Sequence, residues 1–190
     1  MPLTFLVGGA RSGKSRLAVD LAATWGGPVV VVATAEVGDQ EMLERIERHR
    51  RSRPAEWETV EEPVEVERVL SSAPSDACVL VEDLTLWISN LLLGGLRDEE
   101  ILRRSGAAAA IAASRGAPSI AVSNEVGSGI VPENPIARRY RDLLGDVNRA
   151  WAGAADSSAL VVAGRLLPLQ GAGEWLGGWT RVRTDAERDT

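Results

Sequence analysis

One octapeptide near the start of the chain has residue types that suit the binding of phosphate groups. Its residues are Gly8, Gly9, Ala10, Arg11, Ser12, Gly13, Lys14 and Ser15. They fit the phosphate-binding pattern G-x-x-x-x-G-K-[ST] at every position. Lys14 is the single lysine among the 21 lysine and arginine residues of the chain. An ammonium group is a compact charge on a thin stem, so it can enter a glycine-rich loop and contact two phosphates. The octapeptide therefore predicts a loop that binds a nucleoside triphosphate, with Lys14 as a catalytic candidate.

The residues on both sides of this octapeptide predict the strand and the helix that such a loop connects. Residues 4–7 form a short apolar run typical of a buried strand, and residues 15–25 have helical apolar spacing. Glycine N–H groups and the helix N-terminus would face the phosphates, and the Ser15 hydroxyl would contact magnesium. The alternative is a tight glycine turn that binds nothing, which the complete pattern in this setting disfavours.

The chain also has a single histidine, His49, which lies within a predicted helix over residues 39–53. The arginines around it are Arg45, Arg48, Arg50, Arg51 and Arg53. Their charges would keep the ring neutral, which is its nucleophilic form, and would also attract phosphates. A neutral imidazole nitrogen can attack phosphorus and form a phosphoramidate, which later passes the group to an acceptor. The alternative, which the residues alone favour slightly, is an exposed basic helix with an incidental histidine.

Strand-like and helix-like segments alternate along the chain, which predicts an α/β fold with a mostly parallel sheet flanked by helices. The predicted strands cover residues 4–7, 28–35, 57–60, 77–81, 118–123 and, as the last strand, 159–163. The predicted helices cover residues 15–25, 39–53, 63–70, 85–93, 98–114 and 135–154. Asn134 and Pro135 suit the cap and the first position of the last helix. One domain over residues 1–170 is expected, with residues 171–190 as a tail that Trp175 and Trp179 could dock.

In parallel sheets the ligand lies at the carboxyl ends of the strands, so residues at those ends are candidates for chemistry. Two such segments are Thr34-Ala35-Glu36 and Glu82-Asp83. A carboxylate at the end of an apolar strand commonly holds magnesium through water, so Glu82 joins Ser15 as a candidate metal contact. The alternatives are an ordinary solvated strand end for Glu82 and a helix N-cap for Asp83.

The composition indicates a compact protein without a membrane span. At 190 residues, with 45% hydrophobic and 25% charged side chains, the chain can bury one good core. No apolar run approaches the ~18 residues of a membrane span and no secretory signal is evident, which predicts a cytoplasmic protein. The net charge of −6 argues against general nucleic-acid binding. One cysteine and one histidine exclude an internal disulfide and a structural zinc site.

Further motifs, taken together and in order, resemble the adenosylcobinamide kinase / adenosylcobinamide-phosphate guanylyltransferase family. Beyond the octapeptide they are Arg45-Ile46, His49-Arg50, Arg53-Pro54, Trp57-Glu58-Thr59-Val60-Glu61, Leu84-Thr85-Leu86-Trp87, Asn90-Leu91-Leu92, Ser123-Asn124-Glu125-Val126-Gly127 and Gly129-Ile130-Val131-Pro132-Glu133-Asn134. The resemblance extends to about residue 169. It implies a bifunctional enzyme that phosphorylates adenosylcobinamide with a nucleoside triphosphate, ATP or GTP, and then transfers GMP from GTP to that phosphate.

The same resemblance implies where the chemistry occurs. It assigns the guanylylated residue to His49, and it implies GTP contacts beyond the octapeptide at Thr34, Ala35, Glu36, Arg50, Arg51, Ser52, Arg53, Glu61 and Glu82. It also implies the P-loop fold of recombinase-type ATPases, a corrinoid small-molecule substrate and a homotrimer. The chain departs from the family at Asp83, where cysteine is common, in the density of arginines around His49, and in residues 171–190.

The single lysine also excludes competing classes of nucleotide-binding protein. A switch GTPase reads guanine through an asparagine-lysine-x-aspartate motif, and nucleotide ligases and capping enzymes form their adduct on a lysine. The chain has no second lysine for either purpose. Two alternatives stay open: a P-loop small-molecule kinase without a covalent nucleotidyl intermediate, and a nucleotide-binding regulatory module.

Overall fold

A computed structural model describes residues 2–36, 38 and 40–173, apart from the side chains of residues 41, 42 and 45. Within that part of the chain the strands are β1 (Leu3–Gly8), β2 (Val29–Ala33), β3 (Glu58–Glu61), β4 (Cys78–Glu82), β5 (Ser119–Asn124), β6 (Ser157–Val162) and β7 (Arg165–Pro168). The helices are α1 (Lys14–Ala23), α2 (Gln40–Arg51), α3 (Val66–Ser72), α4 (Leu84–Leu93), α5 (Asp98–Ser114) and α6 (Pro135–Ala154). Trp175, Trp179 and most of the predicted tail lie outside the described residues.

All seven described strands form one sheet in the order β3-β2-β4-β5-β1-β6-β7. Every neighbouring pair is parallel except β6 with β7, which confirms the predicted mostly parallel sheet. Ala33 on β2 is level with Glu61 on β3 and with Glu82 on β4. Gly8 on β1 is level with Asn124 on β5. The carboxyl ends of these strands therefore meet at one edge of the sheet, where most predicted site residues lie.

Helices cover both faces of the sheet, which explains why its central strands are buried and mostly apolar. On one face, Ala18, Val19 and Ala22 of α1 pack against the sheet. On the other face, α3, α4, α5 and α6 enclose a larger cluster that includes the fully buried Trp87 and Trp151. None of the described side chains of α2 belongs to either cluster.

Two helices begin at side-chain caps. The Asp83 carboxylate accepts a hydrogen bond from the Leu86 N–H at 2.9 Å, which confirms the N-cap interpretation of Asp83. The Asn134 side chain accepts from the Ile136 N–H at 2.9 Å, ahead of Pro135 in the first turn of α6. None of the helices within the described ranges has both the length and the apolar character needed to cross a membrane.

The predicted bounds agree with the structure to within three residues, but the number of strands does not. The prediction that residues 159–163 form the last strand is wrong, because β7 follows β6 as an antiparallel edge strand. The turn between them uses positive φ at Ala163 (50°) and at Gly164 (72°). All four residues of β7 are exposed. An exposed strand of this length has no alternation of buried and polar residues, so the hydrophobic pattern does not reveal it.

Candidate functional site

Residues 8–15, here called the P-loop, join the end of β1 to the start of α1. Lys14 is only 6% exposed, and its Nζ donates a hydrogen bond to the Gly9 carbonyl at 3.0 Å, so the ammonium group lies across the loop. The buried hydroxyl of Ser12 has no hydrogen-bond partner among the described residues. A buried ammonium group and a spare hydroxyl at a helix N-terminus suit the oxygens of a phosphate chain.

The turn between β6 and β7 supports the P-loop from one side. The Gly164 N–H donates a hydrogen bond to the Ser12 carbonyl at 2.7 Å. Gly13 has φ of 99°, and a Cβ there would lie 3.2 Å from the Cα of Gly164. A Cβ at Gly8 would collide with the backbone carbonyl of Val161. Two glycines of the loop are therefore required by close backbone packing, and Gly13 by its backbone angle as well.

Glu82 is the last residue of β4 and connects the P-loop to α2. Its Oε1 lies 2.9 Å from Nδ1 of His49, its Oε2 accepts a hydrogen bond from Nη2 of Arg53, and Ser15 hydrogen-bonds to the same carboxylate. Burial alone would raise the pKa of Glu82, but the hydrogen bond with His49 and the charge of Arg53 outweigh it. Together they lower the pKa of Glu82 to about 2. The carboxylate is therefore ionised at neutral pH.

This carboxylate orients the ring of His49. An ionised carboxylate only accepts hydrogen bonds, so we assign the ring proton to Nδ1, which leaves the lone pair on Nε2. The His49 side chain is 33% exposed. The charged group that is hydrogen-bonded to the ring is Glu82. Arg53 is directed to Glu82, and Arg51 pairs with Glu47 at 2.6 Å, so carboxylates offset part of the positive charge.

His49 and Glu82 line a cleft between α2 and the carboxyl edge of the sheet. The cleft has about 680 Å³ of empty space including its open mouth. Its walls are Ala33, Ala35, Ile46, His49, Arg50, Arg53, Thr59, Glu61, Glu82, Asp83 and Leu86. Six of these are predicted site residues: Ala35, His49, Arg50, Arg53, Glu61 and Glu82. The sequence does not predict four of the others, Ala33, Ile46, Thr59 and Leu86, and it leaves the role of the fifth, Asp83, open. The sequence does indicate Thr59 indirectly. Side chains two residues apart on a strand share a face, and Glu61, two residues further on, is a predicted nucleotide contact.

Outside the P-loop, four predicted nucleotide contacts do not line this cleft: Thr34, Glu36, Arg51 and Ser52. The buried Thr34 hydroxyl donates to the Asp83 carbonyl at 2.7 Å and accepts from the Asp83 N–H at 2.9 Å. It thereby stabilises the strand end that carries Glu82. The Ser52 hydroxyl donates to the His49 carbonyl at 2.8 Å, next to the end of α2. Glu36 is exposed beyond β2. Nucleotide contacts by these four residues stay predictions.

The fold and the loop define the class of protein. A strand, a P-loop and a helix at the carboxyl edge of a parallel sheet are the parts of a P-loop nucleotide-binding enzyme. A prototypical ATPase from the type III secretion system of pathogenic bacteria matches this fold with a TM-score of 0.51 and 14% sequence identity. The match covers 84% of this chain and 50% of that ATPase, so the chain spans half the length of that protein. This similarity confirms the fold class.

Sequence comparisons define the family. The family model described as cobinamide kinase / cobinamide phosphate guanyltransferase matches residues 4–169. The bifunctional adenosylcobalamin biosynthesis protein CobP of Pseudomonas aeruginosa is 44% identical over 170 residues, which cover 87% of this chain and 96% of the relative. The corresponding protein CobU of Salmonella typhimurium is 41% identical over 176 residues, which cover 85% and 96%. The chain belongs to the cobinamide kinase / cobinamide phosphate guanyltransferase family, so it is both a kinase and a nucleotidyltransferase.

Proposed function

We propose that this protein phosphorylates the hydroxyl group of adenosylcobinamide and then transfers GMP from GTP to the new phosphate, with His49 carrying the GMP. Family membership supports the two reactions. One observation carries the covalent route: a single buried carboxylate, Glu82, contacts both the imidazole of His49 and Ser15 of the P-loop. The nucleophile and the phosphate-binding loop are therefore neighbours, and the chain has no other histidine that could take this role.

The contacts of His49 suggest how the first half of the transfer proceeds. Nε2 of His49 attacks the α-phosphorus of GTP and forms an N–P bond, while the bond to the bridging oxygen breaks. Pyrophosphate leaves with the electron pair of that bond, and the P-loop amides and Lys14 stabilise its charge. The proton on Nδ1 stays on the ring. The ionised Glu82 offsets the positive charge that develops there, as a carboxylate does for other catalytic histidines.

Magnesium is part of this proposal, and the residues present fit it. Magnesium prefers oxygen ligands and usually keeps several water molecules. Ser15 and Glu82 supply a hydroxyl and a carboxylate that are adjacent. In the part of the chain that the structure describes, no group of three or more acidic, histidine or cysteine side chains could hold a metal. Ser15 and Glu82 would therefore complete a magnesium site made mainly of phosphate oxygens and water, where the ion would neutralise phosphate charge.

The remaining parts of the proposal rest on the family resemblance and on the composition. They are ATP or GTP as the donor of the kinase reaction, a corrinoid as the acceptor, a homotrimeric assembly and a cytoplasmic location. The net charge of −6 supports a small-molecule acceptor rather than a nucleic acid.

Incubation with GTP labelled at the α-phosphate tests the covalent step. We expect the wild-type protein to keep the label on a denaturing gel and to lose it in mild acid, where an N–P bond is labile. GTP labelled at the γ-phosphate serves as the control and should leave no label. His49→Ala should abolish the adduct, whereas Arg48→Ala, which changes an exposed residue of the same helix, should retain it.

The possible outcomes separate the two main interpretations. An adduct of equal yield in His49→Ala would contradict the assignment of the nucleophile. A wild-type protein that phosphorylates adenosylcobinamide but never retains the label would instead support the P-loop kinase without a covalent intermediate.

A further inference from the structure

The proposed transfer raises the question of where the phosphate of the acceptor binds. This phosphate must reach the guanylyl group on His49, so it needs a basic site next to the cleft. The described residues offer two candidates. One is the P-loop, and the other is a groove beside α2, here called the arginine groove, defined by Arg50, Arg51, Arg53 and Trp57.

In-line displacement at phosphorus decides between these two sites. The attacking group and the leaving group occupy opposite ends of one axis through the phosphorus atom. In the first step pyrophosphate leaves from the end opposite His49. In the second step the imidazole of His49 is the leaving group, so the acceptor oxygen must enter from the end opposite His49. Both steps therefore use the same position, which is the one that pyrophosphate occupies in the P-loop.

The arginine groove contains no part of this position. It is lined by residues of α2, of the segment that follows it and of β3, and by none from the P-loop or β4. Arg50, Arg53 and Thr59 also line the cleft of His49, so the groove borders the same helix as the nucleophile. Two of its guanidinium groups also have carboxylate partners, because Arg51 pairs with Glu47 and Arg53 pairs with Glu82.

We propose that the acceptor phosphate binds in the P-loop after pyrophosphate has left, so that one loop serves both in turn. This inference rests on the covalent function proposed above. The loop offers Lys14 and the buried Ser12 hydroxyl, which has no partner within the described part of the chain, as donors to the phosphate. An oxygen of the acceptor phosphate then forms a bond to the α-phosphorus. The P–N bond breaks, and its electron pair returns to Nε2, which restores the neutral ring.

The first test measures binding to full-length His49→Ala, which forms no adduct. Labelled pyrophosphate is brought to equilibrium with this variant, and adenosylcobinamide phosphate is added at increasing concentration. We expect complete displacement of pyrophosphate, because both ligands need the same loop. Adenosylcobinamide without the phosphate is the matched control and should leave pyrophosphate bound. Simultaneous binding of pyrophosphate and adenosylcobinamide phosphate would overturn the inference.

The second test follows the guanylyl-enzyme itself, so it does not depend on the folding of the His49 variant. The intermediate is prepared from α-labelled GTP with pyrophosphatase present, freed of nucleotide, and mixed with adenosylcobinamide phosphate in a single turnover. In Ser12→Ala we expect the half-saturating acceptor concentration to rise about tenfold, because a hydrogen bond to a charged phosphate is lost. A larger rise in Arg51→Ala than in Ser12→Ala would place the acceptor in the arginine groove and overturn the inference.

These tests keep the two proposals apart. If the wild-type protein forms no guanylyl-enzyme, the covalent function fails before any acceptor is added, and this inference fails with it. If the intermediate forms but pyrophosphate and the acceptor phosphate bind together, only the shared use of the P-loop fails.

Discussion

The P-loop and α2 supply the two halves of the site, but the fold holds them by different means. The P-loop continues directly from the buried strand β1, its Lys14 is 6% exposed, and the backbone of Gly164 supports it. By contrast, α2 contributes no described side chain to the core, and its His49 is one-third exposed. The side chain of His49 meets the sheet at one carboxylate, that of Glu82. The phosphate-binding half thus depends on the core, whereas the nucleophilic half depends on a small polar cluster.

If this contrast is correct, a change in the P-loop should affect both reactions and a change at His49 only one. In Lys14→Ala we expect phosphorylation and guanylyl transfer each to fall by about 10²- to 10³-fold, because both lose a charge that stabilises a leaving phosphate. His49→Ala should lose guanylyl transfer alone. Separate assays with γ-labelled ATP and α-labelled GTP measure the two reactions. Loss of only one reaction in Lys14→Ala would show that the reactions use different phosphate sites.

Substitution of Glu82, the carboxylate that contacts both the P-loop and α2, should have the next largest effect on activity. In Glu82→Gln we expect adduct formation to slow by about 10²-fold, because an amide cannot offset the charge on the ring and can favour the wrong tautomer. The rate is measured in a single turnover with α-labelled GTP. Glu44→Gln, an exposed carboxylate on the same helix, is the matched control and should react at the wild-type rate. A wild-type rate in Glu82→Gln would mean that the contact is structural only.

The same two regions also differ in how far the sequence predicts them. The P-loop is contiguous, so its pattern and its flanking apolar runs suffice to place it. The bounds of α5 and α6 are predicted correctly because both helices carry long, regular sequence patterns. The pair of His49 and Glu82 is different, because its members are 33 positions apart in the chain and only the tertiary fold brings α2 to the end of β4. The sequence predicts arginines around the ring, and Arg50 and Arg53 do line its cleft, but it does not predict that a carboxylate is hydrogen-bonded to the ring.

Acid should weaken the contacts that Glu82 makes with His49 and Arg53. The pKa of Glu82 is lowered from 4.5 to about 2, so its ionised form stabilises the native state above about pH 4.5. This contribution is lost as the pH falls from 4.5 towards 2, and it amounts to about 3 kcal/mol. Urea unfolding across this pH range should show the stability difference between wild type and Glu82→Gln shrinking as the pH falls. A difference that stays constant with pH would show that the pKa of Glu82 is not lowered.

Glycine substitutions test the claim that the P-loop depends on close packing with the core. Gly8→Ala should cost about 1–3 kcal/mol of unfolding free energy, because its Cβ would press on the carbonyl of Val161. Gly145→Ala is the matched control, since Gly145 lies in α6 with no atom close to the new Cβ. It should gain about 0.5–1 kcal/mol from helix propensity. Equal effects in the two variants, measured by urea unfolding, would contradict the packing argument.

The smallest expected effect concerns the surface ion pair on α2. Arg51 and Glu47 lie one helical turn apart at 2.6 Å, but their side chains are 79% and 52% exposed. Water and salt screen such a pair, so Glu47→Gln should cost only about 0.3–0.5 kcal/mol, and less in high salt. Urea unfolding at low and high salt measures this cost, and α-labelled GTP measures adduct formation in the same variant. If the adduct forms much more slowly, the position of His49 depends on the surface of α2 as well as on Glu82.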